Sequence, residues 1–501
     1  MKMDSDYKMN NIHKVSLAGL LDAITIKERR GMLSADTEIA LLTADSRQVV
    51  AGSMFVAVPG VSVDGHKYIA SAIASGAVAI VAEHYPEEIP AGVLVVLVQD
   101  SREALGRLAS RFYGDPSEEL TLVGVTGTNG KTTIATLLYE IARQRGLKAG
   151  LLSTVVNMID TEAVAADHTT PDPVVLNALL RRMADAGCSF VSMEVSSHAA
   201  DQHRIAGLTF AGGIFTNLTR DHLDYHKTFD AYLQAKKSFF DKLPADAFAL
   251  VNADDSHGRV MLQNTPAKFK ATYSTRDLAD YKVKIIEDRI DGMLLDFDGS
   301  QVETMFVGHF NASNLAAVYG ASLLLGVKKD DTLVYISKLM PVAGRFQPFR
   351  SPTGATAIVD YAHTPDALIN VLDTIREVAP DAKVIAVCGA GGNRDHGKRP
   401  LMARAAAERS DVVILTSDNP RNEDPVAILN DMLSGLDAYQ LERTETIVDR
   451  RAAISRAVEL AGPGDVILIA GKGHETTQEI AGQVYHFDDR EEVCRAFGIN
   501  K

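Results

Sequence analysis

The chain has 501 residues, 46% hydrophobic and 23% charged, which is the composition of a globular protein of about three domains. Acidic residues outnumber basic ones by 65 to 51, and the net charge of −14 disfavours nucleic acid or an anionic membrane as the main partner. Three widely spaced cysteines, no signal peptide and no long apolar segment predict a cytoplasmic protein without membrane insertion.

The first block of predicted elements, residues 1–118, alternates apolar strands with alanine-rich helical stretches. Met54–Val58 and Ala77–Val81 have the character of buried strands, and Ser101–Tyr113 has a helical pattern. The Gly-Asp-Pro-Ser segment at 114–117 is typical of a linker. A first domain is therefore predicted to end at residue 118.

The second block, residues 119–345, begins with a glycine-rich motif. An apolar run ending at Val125 is followed by Gly-Thr-Asn-Gly-Lys-Thr-Thr at 127–133 and then by a helical pattern. Strand, glycine turn and helix in this order form a phosphate cradle, because backbone N–H groups and the helix N-terminus face the turn. Lys131 would contact the phosphates of ATP or GTP, and the Thr132 hydroxyl would bind Mg²⁺. The alternative is an ordinary turn, since Val125 replaces a glycine of the strict motif.

Further apolar runs alternate with helical patterns in this block and predict a parallel sheet. They cover 149–154, 190–194, 212–216 and 247–251, and a β-rich stretch follows at 281–306. Ligands bind beyond the carboxyl ends of such strands. Glu194 is placed there to bind Mg²⁺ or to cap a loop, and His222 to bind a metal or a phosphate, or to begin a capped helix.

Two other groups of polar residues in this block have simpler interpretations. Thr169 and Thr170 precede a proline and fit the start of a helix. Lys236 and Lys237 lie on a helical pattern at 232–240, where lysines are usually solvated.

The third block, residues 346–501, repeats the α/β alternation. Its predicted strands cover 357–359, 383–388, 411–416 and 465–470, and the last three end in polar or glycine-rich loops. If these loops converge, Arg394 and Arg421 would bind a carboxylate, while Asp418 and Glu475 would bind an ammonium group. That set is typical of an amino-acid site; three unrelated turns are the alternative.

Four motifs in this order resemble those of the Mur ligase family: Gly127–Thr133, Glu194–His198, Asp221–His226 and Asp360–Pro365. The resemblance covers nearly the whole chain, because the Asp45–Arg47 segment is also similar to the family's uridine-nucleotide domain. It implies an α/β fold of three domains. These are a UDP-substrate domain at 1–118, a central P-loop-type parallel-sheet domain that binds ATP at 119–345, and a Rossmann-like amino-acid domain at 346–501.

The resemblance also implies a reaction of peptidoglycan precursor synthesis that uses ATP and Mg²⁺. The carboxylate of UDP-N-acetylmuramoyl-L-alanyl-D-glutamate would attack the γ-phosphate of ATP, and meso-diaminopimelate would then displace phosphate from the acyl phosphate. All partners are small molecules, and we expect a monomer. The alternatives are the same ligase with lysine or lanthionine, a folylpolyglutamate-synthase-like ligase, or a P-loop module without catalysis.

The resemblance assigns site residues by position, and it alone gives Lys236 a function, as a carbamate that binds metal. The ATP residues are Gly127, Thr128, Asn129, Gly130, Lys131, Thr132, Thr133, Asn311, Asn314, Arg345 and Asp360. The metal residues are Thr132, Glu194, His222 and Lys236, and the catalytic residues are Lys131, Glu194, His222 and Lys236. The UDP-substrate residues are Ser46, Thr169, Thr170, Ser196, Gln202 and Arg204. The diaminopimelate residues are Arg394, Asp418, Asn419, Pro420, Arg421, Gly471 and Glu475.

Arg421 is the residue predicted to select the amino acid. Diaminopimelate is lysine with a second carboxylate, which a guanidinium group binds by charge-assisted hydrogen bonds. Lysine would leave Arg421 unpaired and is therefore disfavoured, whereas lanthionine also carries the second carboxylate.

Overall fold

The computed structural model of the protein describes residues 15–60, 63–166, 168–219 and 223–499. These residues form two compact units. The first contains the described residues up to Tyr273 with Asp277–Asp280 and Gly320–Gly326, and the second contains Ser274–Arg276, Tyr281–Tyr319 and the residues from Val327 onwards. Within the described ranges no helix combines the length and the apolar character needed to cross a membrane. The domain boundaries at residues 118 and 345 stay predictions.

A five-stranded sheet forms the N-terminal part of the first unit, and its pairs are parallel except for β1 with β5. Alternate residues face opposite cores, with Met54 and Val56 in one and Phe55 and Ala57 in the other. The strand order is β1-β5-β4-β3-β2, for β1 (Glu28–Arg30), β2 (Leu41–Thr43), β3 (Ser53–Val56), β4 (Ala77–Ala82) and β5 (Leu94–Leu97). The helices are α1 (Leu17–Leu21), α2 (Ile69–Ala74) and α3 (Ser101–Phe112).

A second sheet of the first unit contains the predicted parallel strands. The strands are β6 (Thr121–Thr126), β7 (Ala149–Leu152), β8 (Asn157–Ile159), β9 (Glu162–Val164), β10 (Phe190–Glu194), β11 (Gly212–Phe215), β12 (Phe248–Asn252) and β13 (Phe269–Ser274). Their order is β13-β12-β11-β6-β10-β7-β8-β9, antiparallel only at β8 and β9. The helices are α4 (Lys131–Gln144), α5 (Pro173–Asp185), α6 (Ser197–Asp201), α7 (Leu223–His226), α8 (Phe229–Asp241) and α9 (Gly258–Met261).

The second unit begins with an antiparallel meander and continues into a six-stranded sheet. The meander strands are β14 (Tyr281–Arg289), β15 (Gly292–Phe297) and β16 (Ser300–Thr304), and the helices that follow are α10 (His309–Leu324) and α11 (Lys329–Ser337). The six-stranded sheet has β17 (Gln347–Arg350), β18 (Thr356–Asp360), β19 (Val384–Cys388), β20 (Val412–Leu415), β21 (Thr444–Thr446) and β22 (Val466–Ala470) in the order β17-β18-β22-β19-β20-β21. Its last five strands are parallel.

Helices cover both faces of this sheet, because Val384 and Ala386 face one core while Ile385 and Val387 face the other. The helices are α12 (Pro365–Val378), α13 (Lys398–Arg409), α14 (Pro425–Leu433), α15 (Ala438–Glu442), α16 (Arg450–Leu460) and α17 (Asp489–Phe497). A separate hairpin consists of β23 (Thr477–Ile480) and β24 (Gln483–His486).

Packing around β6 leads to a prediction for Gly124. A Cβ atom at Gly124 would lie 2.6 Å from the Phe239 ring and 3.0 Å from Val195, so Gly124→Ala should overpack the core of the first unit. We expect a loss of about 1–3 kcal/mol in the free energy of unfolding, measured by urea denaturation of that unit. A Cβ at Gly19 in α1 would meet only ordinary contacts at 3.5 Å, so Gly19→Ala should cost nothing. Equal stability of both variants would contradict the prediction.

Candidate active site

The predicted phosphate cradle has the expected strand–turn–helix form. It runs from β6 through Gly127–Gly130 into α4, and Gly127 and Gly130 have φ angles of 149° and 87°. A Cβ atom at Gly127 would lie 1.8 Å from the Thr216 hydroxyl oxygen, so only glycine fits there. The loop therefore packs directly against Thr216, the residue that follows β11.

Side chains that follow β11 hold the cradle in shape. The Thr216 hydroxyl donates a hydrogen bond to the carbonyl oxygen of Asn129 at 2.5 Å, and the Asn129 N–H donates to the Asn217 side-chain oxygen at 2.9 Å. Thr128 shares a 3.0 Å hydrogen bond with the Tyr232 hydroxyl of α8. The turn is thus fixed by residues roughly ninety to a hundred positions away in sequence, as a preorganised anion site requires.

Two lysine amines meet at one carbonyl of the cradle. Lys131 Nζ donates to the carbonyl oxygens of Gly127 and Thr128, both at 2.9 Å. Lys236 Nζ donates to the same Gly127 oxygen at 2.7 Å. The two residues predicted to act on phosphate and on metal therefore lie side by side.

The hypothesis that Lys236 and Lys237 are solvated is wrong. Their exposed fractions are 1% and 7%, because α8 is packed on both of the faces that carry them. Lys237 Nζ bonds the Asp241 carboxylate at 2.5 Å and the Gln263 carbonyl at 2.7 Å. Only Lys236 faces the cradle, so two adjacent buried lysines have different surroundings.

Glu194 ends β10, the strand next to β6, and pairs in register with Val125. Its side chain is 1% exposed, and one carboxylate oxygen accepts the Thr154 N–H at 2.7 Å. Thr132, which follows the cradle at the start of α4, is also buried. A carboxylate oxygen and a hydroxyl oxygen are both ligands of the kind that Mg²⁺ binds. These residues fit the metal, whereas His222 lies outside the described residues.

Five of the six predicted UDP-substrate residues lie around the carboxyl end of β10, four of them in one network. Arg204 donates to the Thr170 carbonyl at 2.8 Å and to the Gln202 side-chain oxygen at 2.7 Å. The Thr170 hydroxyl accepts the Ser196 N–H at 3.2 Å, and Thr169 accepts from the Thr154 hydroxyl at 3.0 Å. Burial lowers the pKa of Arg204. The sixth residue, Ser46, begins a short helical turn after β2.

The interpretation of Thr169 and Thr170 as helix caps is wrong. Asp172 caps α5, where its carboxylate accepts the Val174 and Val175 N–H groups. The Thr170 hydroxyl instead donates to the Glu194 carbonyl at 2.8 Å. A loop threonine thus binds the strand that carries the candidate metal ligand.

Asp64, His66 and His84 are a second group with metal-type side chains, since their ligand atoms lie within 4.8 Å of one another. Both ring nitrogens of His66 already have partners. Nδ1 lies 2.7 Å from Asp64, and Nε2 accepts the Glu83 N–H at 3.0 Å, which fixes the proton on Nδ1. His66 therefore joins two segments of the N-terminal sheet and offers no free nitrogen.

In the second unit, the predicted nucleotide residues Asn311 and Asn314 are buried on α10. The Asn311 side chain donates to the Val307 carbonyl at 2.9 Å, and Asn314 donates to the Asn311 side-chain oxygen at 3.3 Å. Both amides are thus oriented by the protein.

Asp360 ends β18 and accepts the N–H groups of Phe346 and Ala362, each at 2.7 Å. Burial raises the pKa of Asp360, and the Arg345 guanidinium opposes that rise. The motif continues to Thr364, whose hydroxyl caps α12. Asp360 therefore connects the residue before β17 to the turn that leads into α12.

A stack of side chains lies beside Asp360. The Arg345 guanidinium is 4.5 Å from the centre of the Tyr361 ring, and the ring of His474 is 5.0 Å from that of Tyr361. Burial, together with the nearby Arg345, Arg490 and Lys472 cations, lowers the pKa of His474 to about 3. His474 is therefore neutral at physiological pH.

The three loops of the predicted amino-acid site do converge. They follow β19, β20 and β22, which are neighbours in the sheet. The Gly392 N–H donates to the Asn419 carbonyl at 2.9 Å, and the Asn419 amide donates to Glu475 at 2.8 Å. Gly471 has φ 118°, and a Cβ there would lie 2.5 Å from an Asp418 carboxylate oxygen. Their roles in binding stay predictions.

Arg421 adopts a left-handed backbone conformation, with φ 54°. Its guanidinium donates to the Gly392 carbonyl at 2.7 Å and lies 3.6 Å from the Glu479 carboxylate. A side chain at Gly391 would reach to 3.1 Å from the guanidinium. Arg394 is exposed, and Pro420 is buried with its carbonyl against Gly392.

Three buried cations of this region were not predicted from the sequence. Lys472 donates to the Glu475 carboxylate at 3.0 Å. Arg450 forms two 2.7 Å hydrogen bonds with Asp489, and Arg399 binds Glu423 at 2.8 Å. Lys472 had a visible signal, because it lies between the two glycines of its loop; the two arginines, on helical patterns, had none.

Family models match successive stretches of the chain. The Mur ligase family catalytic domain matches residues 38–113, the Mur ligase middle domain 125–322 and the Mur ligase glutamate ligase domain 344–473. A Parabacteroides distasonis protein named UDP-N-acetylmuramoyl-L-alanyl-D-glutamate–2,6-diaminopimelate ligase is 59% identical over 96% of this chain and 99% of the relative. A Bacteroides fragilis protein of the same name is 58% identical over 93% and 96%.

The chain is also similar to solved structures. One of a UDP-N-acetylmuramoyl-L-alanyl-D-glutamate–2,6-diaminopimelate ligase has a TM-score of 0.70 at 35% identity and covers 97% of this chain and 99% of that chain. A Thermotoga maritima folylpolyglutamate synthase has a TM-score of 0.57 at 14% identity over 74% and 90%, which shows a shared fold alone. The family models and the similar relatives identify an ATP-dependent ligase, and the phosphate cradle agrees with that class. The chain belongs to the Mur ligase family.

The buried neutral His474 leads to a pH prediction. Its pKa is about 3 in the native state against an ordinary 6.5, so the unfolded chain binds its proton as pH falls below 6.5. Stability is therefore lost on acidification, by about 2 kcal/mol between pH 7 and pH 5. In His474→Gln, urea denaturation at both pH values should show a smaller loss.

A histidine on the surface of the same unit provides the control. His486 is exposed and bonds the Glu491 carboxylate at 2.8 Å, so His486→Gln should not reduce the acid-induced loss. An unchanged pH dependence in His474→Gln would contradict the prediction.

Proposed function

We propose that this ligase adds meso-diaminopimelate to UDP-N-acetylmuramoyl-L-alanyl-D-glutamate in the synthesis of the peptidoglycan precursor. The observation that carries the proposal is the convergence of three loops, in which Arg421 bonds the Gly392 carbonyl and Asn419, from the same loop as Arg421, bonds Glu475. These groups are complementary to the distal end of diaminopimelate, which has both a carboxylate and an ammonium group. Two relatives that are named as diaminopimelate ligases align with the chain over nearly their whole length.

The first step is activation of the substrate carboxylate. A carboxylate resists attack by an amine, and transfer of the γ-phosphoryl group of ATP gives it a good leaving group. Both reactants are anions, so the cradle N–H groups and the Lys131 ammonium would offset their repulsion. Mg²⁺, bound by Thr132 and Glu194, would neutralise phosphate charge.

The second step joins the amino acid. One amino group of diaminopimelate, in its neutral form, attacks the acyl carbon and forms the new C–N bond; its nitrogen then gives up a proton to solvent, and phosphate leaves with the electron pair of the broken C–O bond. Asp418 and Glu475 would hold an ammonium group and Arg421 a carboxylate, which fixes the direction in which the amino acid lies. The network of Thr170, Ser196, Gln202 and Arg204 would hold the UDP substrate.

Lys236 is proposed to react with carbon dioxide to give a carbamate. Its amine is buried and reaches the Gly127 carbonyl, so a carboxylate built on it would lie next to the bound phosphates. With His222 it would provide a second metal site. The neighbouring Lys237 is already held by Asp241 and Gln263.

The wider setting is also proposed. We infer domains at 1–118, 119–345 and 346–501, a cytoplasmic location and a monomer that works on small molecules only. A folylpolyglutamate-synthase-like activity is less well supported, because it would leave the N-terminal sheet and the Arg421 loop without a function. A P-loop module without catalysis would need neither the charged loops nor Lys236.

The substrate is tested by phosphate release from ATP with UDP-N-acetylmuramoyl-L-alanyl-D-glutamate. We expect release with meso-diaminopimelate and a kcat/KM for lysine lower by ~10²-fold or more, because lysine leaves Arg421 unpaired. Lanthionine, which keeps the second carboxylate, is the matched comparison. In Arg421→Ala this preference should largely disappear. Release with lysine alone would reject the amino-acid assignment, and no release with any amino acid would reject the function.

The role of Lys236 is tested against its neighbour. Lys236→Ala should lower kcat by ~10²-fold or more, because it removes a group that acts at the transferring phosphate. Lys237→Gln should keep most of the activity, although its side chain is nearly as buried. Mass spectrometry of the native protein would detect the carbamate. Equal activity of the two variants would exclude a special role for Lys236.

A further inference from the structure

Lys472 is a fully buried lysine in the loop after β22, with an exposed side-chain fraction of 0%. Its Nζ lies 3.0 Å from one Glu475 carboxylate oxygen and 3.2 Å from the Asn419 side-chain oxygen. Both partners belong to the predicted diaminopimelate site. A lysine side chain thus occupies the protein side of a site that is predicted to receive an ammonium group.

The contacts of Lys472 determine how Asn419 is oriented. The Asn419 side-chain oxygen accepts from Lys472 and from the Glu479 N–H at 3.0 Å, so its NH₂ group must point the other way. That NH₂ group donates to Glu475 at 2.8 Å. Lys472, together with the Glu479 N–H, therefore fixes where the oxygen and the NH₂ group of the Asn419 side chain lie.

Lys472 affects the charge of the Glu475 carboxylate as well as its position. One oxygen, Oε2, receives both the Lys472 ammonium and the Asn419 amide. Within the described residues these are the hydrogen bonds of its carboxylate, which leaves Oε1 for a ligand. Part of the attraction that Glu475 offers to an ammonium group is thereby already offset inside the protein by the Lys472 ammonium.

We propose that Lys472 is a positioning residue that makes this site select a zwitterionic end of the amino acid over a lone ammonium group. The inference rests on the proposed function. Diaminopimelate brings an ammonium and a carboxylate to the loops, so its net charge there is zero, whereas lysine brings only a positive charge. With Arg421 and Lys472 both present, the added positive charge of lysine is repelled and the zwitterion is not.

A purely structural role for Lys472 makes a different prediction. If the buried ion pair only holds the loops in place, its loss would lower kcat/KM for both amino acids by the same factor. Loss of a charge that repels lysine would weaken the binding of diaminopimelate but would also remove the repulsion of lysine, so diaminopimelate would lose more than lysine. The ratio of the two kcat/KM values therefore separates the explanations, whatever happens to the total activity.

The experiment compares Lys472→Gln and Lys472→Met with the wild type. Glutamine keeps a donor for Glu475 and Asn419 but has no charge, and methionine removes both. We expect KM for diaminopimelate to rise by ~10-fold or more in both, with KM for ATP unchanged, because a charge-assisted network is lost. The ratio of kcat/KM for diaminopimelate to that for lysine should fall by ~10-fold.

Two controls keep the result interpretable. Lys472→Arg retains the charge and should retain the ratio. Lys383→Gln removes a lysine at the opposite end of β19, where Nζ binds the Leu460 carbonyl at 3.0 Å, and should change neither constant. Thermal melting of each variant shows whether it is folded, and Lys472→Gln is the variant more certain to fold because its donor is kept.

The outcomes distinguish this inference from the proposed function. If the wild type releases no phosphate with any amino acid, the proposed function fails. If the wild type uses diaminopimelate but the ratio is unchanged in both neutral variants, the function stands and the selectivity role of Lys472 is overturned. A lower ratio in the neutral variants with an unchanged ratio in Lys472→Arg supports the inference.

Discussion

Parallel pairing of neighbouring strands is the constraint on which the chemistry of this protein depends. It brings the carboxyl ends of β6, β10 and β11 together in one unit and those of β19, β20 and β22 together in the other. Each end is followed by a loop, so polar side chains from distant parts of the chain meet at one edge. The cradle and the amino-acid loops are two uses of the same arrangement.

Buried basic side chains lie at or near both of these edges. Lys236 in the first unit, and Arg399, Arg450 and Lys472 in the second, have exposed fractions of 1% or less. Each binds a carbonyl or a carboxylate at or near one of these edges, so the protein orders its acceptors before a substrate arrives. Preorganisation of this kind lets the charges act on the substrate instead of on water.

The sequence predicted what depends on local pattern. The strand ending at Glu194, the glycine turn before Lys131 and the converging loops are all confirmed, because strand, turn and helix signals lie in adjacent residues. The burial of Lys236 and the pairing of Lys472 could not be predicted. A helix pattern does not say which face is covered from a hundred residues away, and only the fold sets the partners of a buried charge.

The left-handed backbone of Arg421 has a consequence for how such sites change over time. Arginine at φ 54° is held at a cost in free energy that glycine or asparagine would avoid. Replacement by either residue would relax the loop, but it would also remove the guanidinium group that is proposed to bind the second carboxylate. Under the role proposed for Arg421, a ligase with this loop can therefore lose its requirement for a second carboxylate in one substitution that relieves backbone strain, whereas gaining that requirement means accepting the strain again. Loss of this substrate requirement during evolution is therefore easier than its gain.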